Sequence, residues 1–478
     1  MKLRNKLTHL VLLLLSLSFS IGPVEGFAHS QPSQSQVLAT IQFKSKSNYR
    51  SGVSLINRLG MDIAGVDLKK GLVDVITTPE GIRYLESLHL VVFPQFNALN
   101  SLRVDSEYKT PDEIASILKN YNQAYPDLTL LKVIGTSNQG RPIYTIKISD
   151  NARVDEPAEP ALLFNGMHHA REVMSPEVPL DIIEQLLINY GKDETITRWV
   201  NANQIWVVPM LNVDGNAKVW SGNNMWRKNV KGSGGIDINR NYPYMWGACN
   251  GSSGLPFSDT YRGPSAGSEP ETQALMGLVN EIRPVFDISY HSYSELVLYP
   301  QGCDGSYSKN KDVLDPIGQS LGKKLGYVAG TSWEVLYAVD GSDIDWMDAE
   351  YGVIPFVIEL NSRSEGFQPS YQKWRQVTVE RNRAGWRHLF EVNERFGVRG
   401  NVWSKGKTFA KNTYIRVSKV TSNGKKFFQN ARIHPNGAFH IVLPPGTFQL
   451  DFVDKTSRNV TVSKEITSSG QGRLTLVL

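Results

Sequence analysis

Two hydrophobic patterns alternate along residues 37–93. Short apolar-rich runs over 37–44, 63–68, 72–77 and 90–93 predict strands, while 49–59 and 79–88 carry the wider spacing of helices. Pro79 suits a first helical turn, and Gly60 and Gly71 suit the turns between elements. The predicted order, β-α-β-β-α-β, is that of a small ferredoxin-like domain. Polar residues then dominate 97–110, where Arg103 and Lys109 offer trypsin-like cleavage points in what reads as an exposed linker.

From about 105 to 396 the texture changes. The runs 143–148, 161–165, 205–209, 285–290 and 355–360 are β-rich and almost continuously apolar, as a sheet covered on both faces requires. Between them, 111–124, 175–190, 270–282, 311–325 and 371–396 have helical spacing, so this region is one large α/β domain. After Gly397 short alternating strands return at 398–403, 414–417, 439–443 and 448–452. Asn436-Gly437 and Pro444-Pro445-Gly446 punctuate them, and the expectation is a small β-sandwich.

Composition adds three points. Lys2, Arg4 and Lys6 precede an apolar run over 10–19 and the small-residue site Gly26-Phe27-Ala28, the layout of a secretory signal peptide over 1–28. That run is too short to cross a bilayer, and no later segment is apolar enough, so no transmembrane segment is expected and the protein reads as secreted. The last 81 residues carry 13 Lys and Arg against Asp451, Asp454 and Glu465, leaving the rest of the chain acidic. Such a basic appendage suits an anionic cell-surface polymer, or is simply a well-solvated face; no nucleic-acid motif accompanies it. Cys249 and Cys303 are the two cysteines, and in an oxidising compartment a bridge between them competes with two buried thiols.

Candidate chemistry lies at the ends of the apolar runs. The run ending at Asn165 passes into Gly166-Met167-His168-His169-Ala170-Arg171-Glu172, and the run ending at Tyr290 passes into His291-Ser292-Tyr293. Ligands of open α/β sheets bind at such strand ends. Two histidines and a carboxylate, with a position left for water, make a catalytic rather than a structural zinc site. Alone, His169-x-x-Glu172 is weak evidence and reads better as a surface pair. Glu359 stands inside an apolar run, where a carboxylate is costly unless salt-bridged or functional. Trp226-Arg227-Lys228 and Asp237-Ile238-Asn239-Arg240-Asn241 supply guanidinium groups, whose fork matches a terminal carboxylate with two parallel hydrogen bonds.

Taken in order, His169-Ala170-Arg171-Glu172, Trp226-Arg227-Lys228, Asp237-x-Asn239-Arg240-Asn241, Ser268-Glu269-Pro270-Glu271, His291-Ser292-Tyr293-Ser294, Tyr337-x-x-x-Gly341-x-x-Ile344-Asp345-Trp346 and Ile358-Glu359-Leu360 resemble the zinc metallocarboxypeptidases of the carboxypeptidase A/B type. The resemblance covers residues 105–396 and implies a mixed eight-stranded sheet with helices on both faces. It implies one zinc ion on His169, Glu172 and His291, the ligand types of carboxypeptidase A. Asp237 would orient His169, Arg227 would stabilise the oxyanion of the tetrahedral intermediate, and Glu359 would act as general base and acid. Asn239, Arg240 and Tyr337 would clamp the terminal carboxylate, with Tyr337 on a mobile loop, while Arg171 and Tyr293 would line the approach. By the same resemblance 29–104 is an inhibitory prosegment, and 397–478 is similar to a transthyretin-like domain.

The implied function is removal of C-terminal residues from peptides. The pocket floor falls at Ile344, which favours a hydrophobic or mixed terminal residue, although Asp340 and Asp343 stand close enough in sequence to accept Lys or Arg. Three alternatives remain: a peptidoglycan γ-glutamyl-diaminopimelate peptidase of the same fold, a catalytically silent binding protein, and an adhesive C-terminal module detachable without loss of hydrolysis.

Overall fold

The computed structural model describes residues 36–95, 103–470 and 474–477, so the expected signal peptide lies outside the described residues, as does the linker over 96–102. In the N-terminal domain β1 (Val37–Gln42), β2 (Asp62–Asp67), β3 (Leu72–Thr77) and β4 (Val91–Gln95) form a sheet in the order β2-β3-β1-β4, each neighbouring pair antiparallel. Helices Lys46–Arg58 and Pro79–Ser87 complete the ferredoxin-like order. Thr78 explains where the second helix begins, because its hydroxyl takes the Gly81 N–H at 3.2 Å and Pro79 follows with its fixed φ. The domain's core of Val37, Ile41, Ile56, Val73, Val75 and Leu85 is not closed on itself. It continues onto Leu296, Leu298, Val335, Ile344 and Val357 of the large domain.

The large domain adds β5 (Thr129–Thr136), β6 (Pro142–Ile148), β7 (Ala161–Gly166), β8 (Gln204–Val208), β9 (Phe286–Ser292), β10 (Leu296–Tyr299), β11 (Val328–Thr331) and β12 (Ile354–Leu360). They form one mixed eight-stranded sheet in the order β11-β10-β12-β9-β7-β8-β6-β5. Its centre, β12-β9-β7-β8, is parallel. Leu162, Phe164, Ile205, Val207, Phe286 and Ile288 on one face and Leu163, Trp206, Val208 and Val357 on the other are all buried, so both sides of the sheet are covered. The carboxyl ends of β7, β9 and β12 therefore open on one edge, in register through Gly166↔Tyr290 and Glu359↔His291.

Helix Tyr371–Phe396 runs without a linker into β13 (Gly397–Asn401). With β14 (Thr413–Thr421), β15 (Gly424–Arg432), β16 (Ala438–Val442), β17 (Gly446–Asp454), β18 (Val460–Ser468) and β19 (Leu474–Val477) it builds two sheets, β16-β13-β19 and β15-β14-β17-β18. This is the expected sandwich, and it is packed on the large domain. Ile415, Val417, Phe439, Phe448 and Phe452 belong to the same continuous apolar core as the large domain. At Gly352, with φ 68°, any Cβ would lie 2.1 Å from the Asn430 carbonyl, so the two backbones meet. Lys426 reaches Asp312 at 2.7 Å, and His434 reaches the Glu281 carbonyl at 2.6 Å.

The linker expectation also needs correction at its second half. Tyr108 is buried with its hydroxyl donating to the Pro369 carbonyl, and Lys109 donates to the Tyr371 hydroxyl at 2.7 Å beside Glu177. Arg103 remains exposed. Cys249 and Cys303 are bridged, with Cα atoms 5.7 Å apart.

Candidate metal centre and its cleft

β7 ends in a tight turn that sequence makes possible at two points. Gly166 has no room for a side chain, since a Cβ would sit 2.7 Å from the Ser175 carbonyl, and Met167 takes φ 60°. Ser175 then closes the turn, accepting the Met167 N–H and donating to the Glu172 carbonyl. The three-residue spacing thereby brings His169 Nδ1 to 2.7 Å from Glu172 Oε1. From the end of β9, His291 Nδ1 approaches Glu172 Oε2 at 3.1 Å and His169 Nδ1 at 3.1 Å.

These three donors, all buried, lie within 4.8 Å of one another. Two imidazole nitrogens facing each other over one carboxylate cannot all be satisfied by protons, because each Nδ1 is either a donor or an acceptor. A cation satisfies all three, and the His, His, Glu set fits zinc. Burial lowers the basicity of His169, the form a metal requires, with Arg227 acting in the same direction. Burial opposes a charge on His291 too, but Glu172 more than offsets this and raises it. Burial alone would raise Glu172, yet both histidines hold it well below the usual carboxylate range. Asp237 stands behind: its Oδ1 lies 3.3 Å from His169 Nε2 and accepts the Asn239 N–H, while Oδ2 accepts from Arg227 at 2.9 Å.

The neighbouring side chains follow from the register. Glu359 is the strand partner of His291 and therefore shares its face of the sheet. Burial pushes its carboxyl up to about 8 against the pull of His291. Arg227 Nη1 lies 3.9 Å from Glu172 Oε1, joining the same cluster. Asn239 Nδ2 is 3.4 Å from His291 Nε2, and its Oδ1 accepts the Asp343 N–H. Arg240 is fixed by the Gly251 and Asn239 carbonyls and lies 6.0 Å from the Tyr337 ring. Ile344 and Tyr337 pack in the apolar cluster shared with the N-terminal domain.

Arg171 and Tyr293, expected to line the approach, are both engaged by the N-terminal domain. Asp62 makes a two-pronged ion pair with Arg171, at 2.6 and 2.8 Å, and Asp74 accepts from the Tyr293 hydroxyl at 3.2 Å. Arg363 also reaches Asp74, and Gly65 lies flat against the Tyr293 ring. Sequence reasoning passed over these partners, although Asp62 carries the same signal as Glu359, a buried carboxylate in a β-strand. The two doubtful aspartates are accounted for as well. Asp340 Oδ2 accepts the Cys249 and Gly251 N–H groups, while Asp343 Oδ2 faces His168 at 3.6 Å. His168 is not a ligand; it is stacked on His291 and bonded to the Tyr242 hydroxyl at 3.0 Å.

Similarity to known proteins bears on the same region. Residues 114–383 match the family described as zinc carboxypeptidase. A zinc carboxypeptidase of Saccharothrix mutabilis subsp. capreolus is 30% identical over 380 residues, covering 71% of this chain and 86% of that protein. Zinc carboxypeptidase A 1 of Anopheles gambiae is 34% identical over 253 residues, but the match spans only 57% of its length. The crystal structure of carboxypeptidase A from Helicoverpa armigera superposes with a TM-score of 0.64 over 75% of this chain and 97% of that one; at 20% identity it speaks for the fold alone. A family match over more than half the chain, with the donor set and the eight-stranded sheet, makes this protein a member of the zinc carboxypeptidase family.

Proposed function

We propose that this chain is a carboxypeptidase, hydrolysing the last peptide bond of peptides and proteins. The observation that carries the reading is the meeting of His169, Glu172 and His291 at one sheet edge with Glu359 in register beside them. A zinc ion held by those three supplies Lewis-acid chemistry, acidifying water and polarising the scissile carbonyl. The protein's own residues do the rest. Glu359 takes the proton of the attacking water and returns it to the departing amine, a role that its raised pKa suits. The Arg227 guanidinium, oriented by Asp237, faces the developing oxyanion. Arg240, with Asn239 and Tyr337, receives the substrate's terminal carboxylate, which is what limits the cut to the chain end.

Ile344 lies at the pocket floor, and Asp340 and Asp343 accept the backbone N–H groups of Cys249, Gly251 and Ile344, which supports a hydrophobic or mixed terminal preference. Digestion of a mixed peptide library, with product masses read and a chelator as control, tests the activity. Internal cleavage or no release of terminal residues would overturn it. A peptide panel differing only in the last residue tests the preference, and release of Lys and Arg alone would overturn that.

The protein is further proposed to be exported and to be a zymogen. In support, Asp62, Gly65 and Asp74 occupy Arg171 and Tyr293, so substrate has no access to either group while the N-terminal domain is seated. Among the basic residues of the linker, Arg103 is exposed whereas Lys109 is held by Glu177 and Tyr371. Cleavage near Arg103 should therefore be the activating cut. The basic C-terminal domain is proposed to hold the enzyme at an anionic cell-surface polymer.

A further inference from the structure

On the far side of the molecule from the metal centre, at the seam between the large and C-terminal domains, lies a cavity of about 270 Å³. Trp206, Tyr351 and Phe439 form apolar walls, and Arg283 and Arg432 enter it from the two domains. Of the acids on its lining, Glu281 pairs with Lys132 at 2.6 Å, while Asp155 and Glu159 act through space on Lys147, whose ammonium donates to the Val154 carbonyl. The arginines are not matched equally. Arg432 has Glu350, whereas Arg283 makes no ion pair among the described residues. Its guanidinium stacks on the Tyr351 ring at 4.1 Å and donates once, to the neutral Asn280 side chain, while its Nε is buried without a partner.

Two further observations single Arg283 out. It closes helix Pro270–Ile282 at φ 47°, the left-handed position where glycine costs least, so a side chain is kept there against backbone strain. Its surroundings are also cationic. Lys455 is bonded to the Lys411 carbonyl at 2.6 Å, and burial, with Arg432, Arg283 and Lys411 nearby and Glu350 opposing, lowers its pKa. A partly buried, unmatched guanidinium beside three more cations is unfavourable unless an anion joins it.

We propose that this seam is a binding site for a phosphate-bearing anion, anchored by the Arg283 fork and Arg432 within the cavity and by Lys411 and Lys455 outside it. Two guanidinium groups reaching one cavity from two domains suit a phosphate over a single carboxylate, because their forks match its oxygens. The phosphate comes either from a repeating anionic polymer or from a free phosphate; the site depends on the polymer-anchor reading only for which of these it is.

The test uses the full chain with inorganic phosphate, a labelled polyphosphate and polyglutamate as probes, in the parent and in Arg283→Gln, Arg432→Gln and Lys425→Gln. Lys425 is an exposed residue seven positions along β15 from Arg432, roughly 23 Å away, and controls for charge alone. Expected is binding of phosphate or polyphosphate that weakens about tenfold in both arginine variants and less than about twofold in Lys425→Gln. Polyphosphate binding without phosphate binding assigns a polymer source, and binding of both assigns a free one. Without ligand, Arg283→Gln should melt higher than the parent, and added ligand should raise the parent's Tm but not the variant's. Equal losses in all three variants, polyglutamate binding as tight as polyphosphate, or no binding to the parent would overturn the proposal.

Discussion

Glu359 and Asp345 show how one physical fact, a carboxylate out of water, has opposite consequences at two positions. Glu359 stands at a strand end beside His291, where a proton carrier with a pKa near neutrality is useful. Glu359→Gln keeps the shape and removes the base, so hydrolysis should fall by about 10²–10⁴-fold while zinc content, read by metal analysis, stays at parent level. Loss of the metal in that variant would make Glu359 a structural residue instead. Asp345 has no such use. It is buried in helix Asp343–Tyr351, accepts one N–H from Gly302, and burial pushes it up to about 7 from an ordinary 3.8. With the folded value above the unfolded one, its favourable contribution is complete below about pH 4 and is lost as pH rises towards 7, about 4 kcal/mol over that span. Asp345→Asn should therefore melt near the parent at pH 4.5 and clearly above it at pH 8. Equal melting temperatures at both pH values would show that Asp345 ionises as freely when folded as when unfolded.

Elements were legible where burial imposed a pattern. The central strands and long helices follow from apolar runs and helical spacing, and the metal donors follow from their places just past strand ends. Edge strands escaped: β5 and β18 keep one face in water, so their composition is mixed, with Lys132 half-buried and Lys464 and Glu465 exposed along them. Helix Asp343–Tyr351 escaped for the opposite reason, since it buries Asp343, Asp345 and Asp348 and so has no polar face to betray it. The docking of β2 and β3 onto the cleft was legible only as position, because Asp62 meets Arg171 across 109 residues of sequence. That docking gives an element-scale prediction. A buried two-pronged pair that loses one partner costs about 3–5 kcal/mol. Gly65→Ala would also drive a Cβ to 2.1 Å from the Tyr293 ring. Asp62→Ala and Gly65→Ala should each raise peptide hydrolysis by the uncut chain, with no change after cleavage near Arg103. Unchanged activity of the uncut variants, or full activity of the uncut parent, would remove the case for inhibition.

At the scale of the molecule, the metal centre and the C-terminal domain stand at opposite ends of one continuous core, and stability should link them. Donors that converge from β7 and β9 exist as a site only when the sheet is formed, so metal binding adds to folding free energy, by about 4 kcal/mol when zinc is a thousandfold above its dissociation constant. Chelation should lower the Tm, and zinc should restore it. Removing residues after 396 acts from the other end. The cut takes away the part of the shared apolar core that the C-terminal domain supplies, parts Arg395 and Phe396 at the helix end from Gly470 and Leu443, and leaves Gly352 without the strand it touches. Exposed apolar area costs roughly 25 cal/mol per Å², so losing the cover over several large side chains amounts to several kcal/mol, a large share of what holds a domain folded. The truncated chain should therefore express poorly or melt well below the parent, and added zinc should recover part of the lost Tm, because the two contributions act on the same folded state. A truncation that melts like the parent and hydrolyses peptide at the parent rate would mean that the C-terminal domain contributes nothing to that core.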